Sequence, residues 1–166
     1  MIAGCKLFAP RYYNIMQIVI ATSIKHGKYK ELLSYADQLK NLVLDASKKI
    51  SKHYNLPEII ITIRPMREMY GTAHYIHRKG VKIYKVDISI KQDIQEFKNT
   101  LLHELTHIEQ FYEGRMKSST KVSCTKWNGK NINHKTSCID EYVKLPWEVE
   151  AYSRADKLTK KIFKSS

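Results

Sequence analysis

Two histidines and a glutamate stand together in His103-Glu104-Leu105-Thr106-His107. On a helix, residues four apart lie one turn apart on a single face. Both imidazoles can therefore reach one cation at the ~2.0–2.1 Å that zinc prefers for nitrogen. Glu104 projects beside them, placed to hold and deprotonate a water rather than to bind the metal. Two histidines leave zinc under-coordinated, so a third ligand must come from elsewhere. Downstream donors are Cys124, His134, Cys138, Glu148 and Glu150. Pro146 fits the first turn of a helix, which would hold Glu148 rigidly, and Ala151 leaves room for a second helix to approach. Glu150 lies ~200° around that helix from Glu148, so both cannot bind one ion. Glu148 is the preferred third ligand and Glu150 the alternative. Either could instead be a first-turn carboxylate favoured by the helix dipole.

The elements that must position these groups are partly legible. Leu32, Ala36, Leu39, Val43, Ala46 and Ile50 recur at spacings of three and four, which predicts an amphipathic helix from Lys28 to about His53. Glu58 to Arg64 reads as a buried strand, rich in isoleucine. Tyr70 to His77 and Val81 to Ile90 read as two strands joined by Arg78-Lys79-Gly80. The apolar alternation changes phase between Lys85 and Val86, which suggests a bulge. If Val86 to Ile90 lies at the sheet edge, it could pair with an extended peptide above the metal; the alternative is full pairing inside the sheet.

Asp93 and Glu96 have the spacing of a capping box, opening a helix with the stripe Ile94, Phe97, Leu101, Leu105 and Ile108. Gly114 is its expected left-handed stop. Asn128-Gly129 signals a hairpin in the polar stretch Arg115 to Lys144, and Pro146 opens a last helix running to about Phe163. The expected fold class is α+β. A small, mainly antiparallel sheet would pack on an N-terminal helix, the HExxH helix and a C-terminal glutamate-bearing helix.

The chain has 166 residues, with 29 Lys+Arg against 16 Asp+Glu, a formal net charge of +13. Its length suits one domain and excludes a two-domain dinucleotide enzyme or a long repeat array. The domain is read as 28–166, preceded by a segment 1–27 that could be a cover, a strand or a partner-binding arm. The apolar run Ile15 to Ile24 is broken by Gln17, Thr22 and Ser23 and lacks a small-x-small cleavage site, so it reads as a buried strand or helix. No apolar stretch reaches the ~18 residues of a membrane span, and a cytoplasmic location is expected, a host's cytoplasm if phage or virus encoded. The lysines are scattered and read first as solvated faces. An acidic partner or nucleic acid is the other reading of that charge. Three cysteines (Cys5, Cys124, Cys138) without a CxxC argue against a disulfide scaffold; a second metal site on Cys124, Cys138 and His134 lacks a zinc-knuckle spacing.

Leu102 to His107, followed by Pro146-Trp147-Glu148-Val149-Glu150-Ala151, resembles the gluzincin metallopeptidases, in particular small ImmA/IrrE-like and phage or plasmid SprT-like domains. The resemblance spans about Glu58 to Phe163. It implies zinc held by His103, His107 and Glu148, with Glu104 as general base in hydrolysing a peptide or protein substrate. SprT proteins use a third histidine, for which His134 is what this chain offers. Many gluzincin relatives carry an aspartate after the alanine, orienting the first histidine. Here that position is Tyr152, so another group must do so. The tetrahedral oxyanion of such a reaction needs a second donor, for which Tyr152, Tyr142 and His134 are candidates. A non-catalytic zinc fold is the competing reading.

Overall fold

The computed structural model describes residues 16–118, 123–134 and 139–163. Isoleucine-rich and alternating segments form a four-stranded sheet: β1 (Met16–Ile20), β2 (Ile59–Arg64), β3 (Gly71–Arg78) and β4 (Val81–Ser89). The strand order is β1-β2-β4-β3. β1 and β4 both run parallel to β2, and only β3 is antiparallel to its neighbour β4. The fold is α+β as expected, but its main sheet is mixed rather than mainly antiparallel. There are two causes: the long helical crossover from β1 to β2 returns the chain in the same direction, and the β3–β4 hairpin places β3 at the edge and β4 beside β2.

β1 comes from the segment first set apart as 1–27. It is a strand whose Met16 and Ile20 are buried in the core, so the folded unit begins before residue 28. After α1 (Thr22–His26) and a 3-10 turn at Lys30–Leu32, α2 (Leu33–Ser51) buries Ala36, Leu39, Val43, Ala46 and Ile50 against the sheet. The β3–β4 turn is tight, with Lys79 and Gly80 at φ 50° and 80°. The register through Lys85 and Val86 is continuous on both sides of β4, so the expected bulge is not there. The phase change has another origin. Tyr84, Val86 and Ile88 face the helices, while Lys85 and Asp87 face outward, where Asp87 is buried by its ion partners.

α3 (Ile94–Tyr112) opens on the Asp93–Glu96 capping box and ends before Gly114 at φ 72°. A second, three-stranded antiparallel sheet follows: β5 (Met116–Ser118), β6 (Cys124–Trp127) and β7 (Lys130–Asn133). Asn128 and Gly129 make its hairpin turn, both at positive φ. α4 (Ile139–Tyr142) precedes α5 (Pro146–Ile162), which starts on Pro146 as the sequence indicates.

The two site helices are joined by an ion pair whose carboxylate is buried and whose guanidinium is partly exposed. Glu109 of α3 accepts from Arg154 of α5 and from the backbone N–H of Asn55. Arg154 also donates to the His53 carbonyl and lies 4.3 Å from the Tyr54 ring centroid. Ala151 and Ala155, both buried, let α5 approach α3 closely. Among the described residues, no helix is long and apolar enough to cross a membrane.

Candidate metal centre

Mid-helix on α3, Leu101, Leu102, Leu105 and Ile108 are fully buried, which anchors the helix and turns the face of His103 and His107 toward α5. α5 brings Glu148 to that face from its first turn. His103 Nε2 and His107 Nε2 are 3.0 Å apart, Glu148 Oε2 is 3.2 Å from His103 Nε2, and Glu148 Oε1 is 3.4 Å from His107 Nε2. Ligands at ~2.05 Å in a tetrahedron are about 3.3 Å apart, so these separations fit one metal ion. His103, His107 and Glu148 form a group that could hold a metal ion.

The donor chemistry fits as well. Gln110 Nε2 donates to the Trp147 carbonyl at 3.1 Å, which turns its Oε1 toward His107 Nδ1 at 2.9 Å. His107 thus carries its proton on Nδ1 and keeps the Nε2 lone pair for a cation. The same contact ties the site helix to the backbone just before Glu148. His103 Nδ1 is buried and has no hydrogen-bond partner among the described residues. The ring of Tyr152 packs against His103 instead, centroids 4.4 Å apart. The two rings are tilted at 56°, so Tyr152 covers His103 without a hydrogen bond to Nδ1.

Charge is concentrated here. Burial would raise the Glu148 carboxyl, but when Nε2 of His103 and His107 carries a proton in place of a cation, their hydrogen bonds, with lesser help from Tyr142, bring it down to about 2. Burial pushes the Glu104 carboxyl up, against the pull of the two histidines. Burial lowers His107, yet the Glu148 carboxylate more than offsets this and raises it. Tyr142 is raised by burial and by Glu148, so it stays protonated beside that carboxylate.

The other candidate ligands are accounted for. Glu150 pairs with Arg115 at 2.7 Å and is not part of the group formed by His103, His107 and Glu148. His134 binds the Thr125 hydroxyl through Nε2 at 2.9 Å and packs edge-on against Trp147. Cys124 is a buried thiol of β6; Cys5 and Cys138 lie outside the described residues. The small sheet therefore braces α5. Trp127 packs near Trp147 with centroids 6.1 Å apart, and Arg115 bridges Trp127 and Glu150.

Two positions escaped sequence reasoning. Gln110 carries no signal in a single sequence. Gly71, at the start of β3, does: a glycine within a strand pattern marks a close backbone approach. A Cβ at Gly71 would lie 2.6 Å from Thr100 Cγ2 and 2.7 Å from Glu104 Oε1. The edge strand β3 is thus pressed against the glutamate, and the strand beside Glu104 is β3 rather than Val86 to Ile90, which is paired on both sides. No known protein family, curated protein or solved structure matches this chain.

Proposed function

We propose that this protein is a zinc-dependent metalloendopeptidase of the gluzincin kind, with zinc held by His103, His107 and Glu148. The observation that carries the reading is the convergence of those three donors beside a buried glutamate and a sheet edge. When bound, zinc supplies Lewis acidity and brings the pKa of a water from 15.7 toward ~7. Glu104 is the general base. Its raised carboxyl pKa suits both taking a proton at neutral pH and returning it to the leaving amine. Tyr152 is the proposed catalytic donor to the developing oxyanion; its side chain is half exposed beside His103. Tyr142 acts through Glu148, holding the carboxylate in place.

The substrate is an extended peptide added to the edge strand. Ser89 N–H donates to the Tyr70 carbonyl at 2.8 Å, so Tyr70, Thr72, His74 and Ile76 bond toward β4. The alternation of an antiparallel ladder then directs the N–H and C=O groups of Gly71, Ala73, Tyr75 and His77 away from β4. Few cysteines and a buried thiol accord with a reducing, cytoplasmic setting.

The test compares zinc-loaded wild-type protein with Glu104→Gln on a quenched fluorescent peptide library. Cleavage by the wild type alone, abolished by chelator and restored by zinc, supports the enzyme. Equal zinc content with cleavage by neither protein makes this a non-catalytic zinc fold. The +13 charge supports a second reading, a protease acting among nucleic-acid-bound proteins. Its mark is retention on DNA that collapses as salt is raised.

A further inference from the structure

Beyond the metal centre, the C-terminal end of α3, the β3–β4 hairpin and β5 enclose a cleft of about 500 Å³. Its walls are aromatic: Tyr75 lies 5.1 Å from Tyr84 and 6.0 Å from Phe111, and Tyr112 meets Tyr84 edge-on at 5.9 Å. Its charged lining groups are cationic. Lys82 and Lys117 line it with no carboxylate among the lining residues. Neither lysine is in an ion pair among the described residues. The Lys117 side chain lies over Gly114, its Nζ at an ordinary contact distance of 3.8 Å from where a Cβ would stand.

The cleft is continuous with the edge strand β3, which begins at Gly71 beside Glu104. Gly71 abuts Glu104, and Tyr75, four residues on, stands in the cleft wall, about 13 Å away at ~3.3 Å per residue. Gly71, Ala73 and Tyr75 are also the residues whose backbone groups face away from β4. A peptide paired along β3 therefore delivers a side chain to this cleft about four residues from the position beside Glu104. Packed aromatic walls accept a large flat side chain, and two ammonium groups outside the ion pairs of the described residues select a carboxylate next to it.

We propose that this cleft is an anchoring subsite for the peptide substrate, taking an aromatic side chain with an acidic neighbour about four residues from the scissile bond. It rests on the peptidase reading, and it names the substrate class that reading leaves open.

The test uses binding, not turnover. Full-length Glu104→Gln protein is titrated into short fluorescein-labelled Gly/Ser peptides carrying one Glu-Tyr pair, the same with Lys-Tyr, and the same with Glu-Ala. A labelled oligothymidylate is run beside them, and anisotropy is read. The Glu-Tyr peptide should bind about tenfold more tightly than either control. Adding Lys82→Glu and Lys117→Glu, both exposed positions, should reverse the preference to Lys-Tyr. Unchanged preference in the charge-reversed protein overturns the proposal. So does an oligothymidylate that binds more tightly and displaces the peptide, which would make the cleft a base-stacking site. If zinc-loaded wild type cleaves no peptide while the preference still reverses, the cleft stands and the peptidase reading falls. If cleavage occurs but is indifferent to Lys82 and Lys117, the cleft falls alone.

Discussion

Gly71→Ala is a change of one methyl group that should silence the site without touching a metal ligand. The added carbon would lie 2.6 Å from Thr100 Cγ2, 2.8 Å from Glu104 Cγ and 2.7 Å from Glu104 Oε1. Carbon atoms rest about 3.5–4.0 Å apart, so roughly 1 Å must be found. Thr100 is β-branched and stiff, and Glu104 is only 7 % exposed, so neither can swing into solvent. Overpacking of this kind costs about 1–3 kcal/mol, against which alanine recovers about 0.5–1 kcal/mol over glycine in a strand. The expected net loss is about 1 kcal/mol, a fall in Tm of about 2–4 °C for a chain of this size. The effect on chemistry should be larger. A catalytic carboxylate displaced by ~1 Å loses about 10²-fold in rate. His103, His107 and Glu148 are not in the clash, so zinc affinity should stay within a few-fold of wild type. Peptide hydrolysis by zinc-loaded protein, zinc competition and thermal unfolding read the three quantities. A variant as active as wild type would refute the reasoning: either Glu104 carries no proton or β3 does not press on it.

Gln110→Leu should weaken zinc binding about 10–100-fold in a chelator competition, because the His107 tautomer and ring orientation lose their partner; unchanged affinity would contradict this role. Arg154→Leu leaves the buried Glu109 carboxylate without its counter-charge and should cost about 3–5 kcal/mol in urea unfolding. A loss below ~1 kcal/mol would show that the pair does not fix α5 on α3. Burial alone would raise the Asp87 carboxyl, but Lys85, Arg64 and His74 outweigh it and hold it below its ordinary value. The stability it lends is therefore complete above about pH 4 and lost as pH falls through the folded-state value. The Tm gap between wild type and Asp87→Asn should shrink in that acid range, and a gap constant with pH would refute the linkage.

The candidate metal site was more legible than the fold that carries it. Helix periodicity fixes the face shared by His103 and His107, and Pro146 fixes the turn that carries Glu148, so three donors follow from local rules. That Glu148 and Glu150 cannot both join the histidines follows from the ~200° between them, and in the structure Arg115 pairs with Glu150. Strand direction is not local. Nothing in Ile59–Arg64 says that both neighbours run parallel to it, and β1 was ambiguous because a short apolar run fits strand or helix equally. The expected bulge at Lys85 failed because Val81 and Ile83, though apolar, share the outward face with Lys85 and Asp87 and are exposed, so the strand keeps one phase throughout. Gln110 and Tyr142 act through contacts with a helix 37 residues away or with Glu148, which no spacing rule encodes.

The central claim is a metal ion between the two helices, and anomalous diffraction at the zinc edge, on crystals grown with zinc, tests it most directly. The account predicts one strong peak about 2.0–2.2 Å from His103 Nε2, His107 Nε2 and a Glu148 oxygen. No peak there, or a peak coordinated without Glu148, would contradict it.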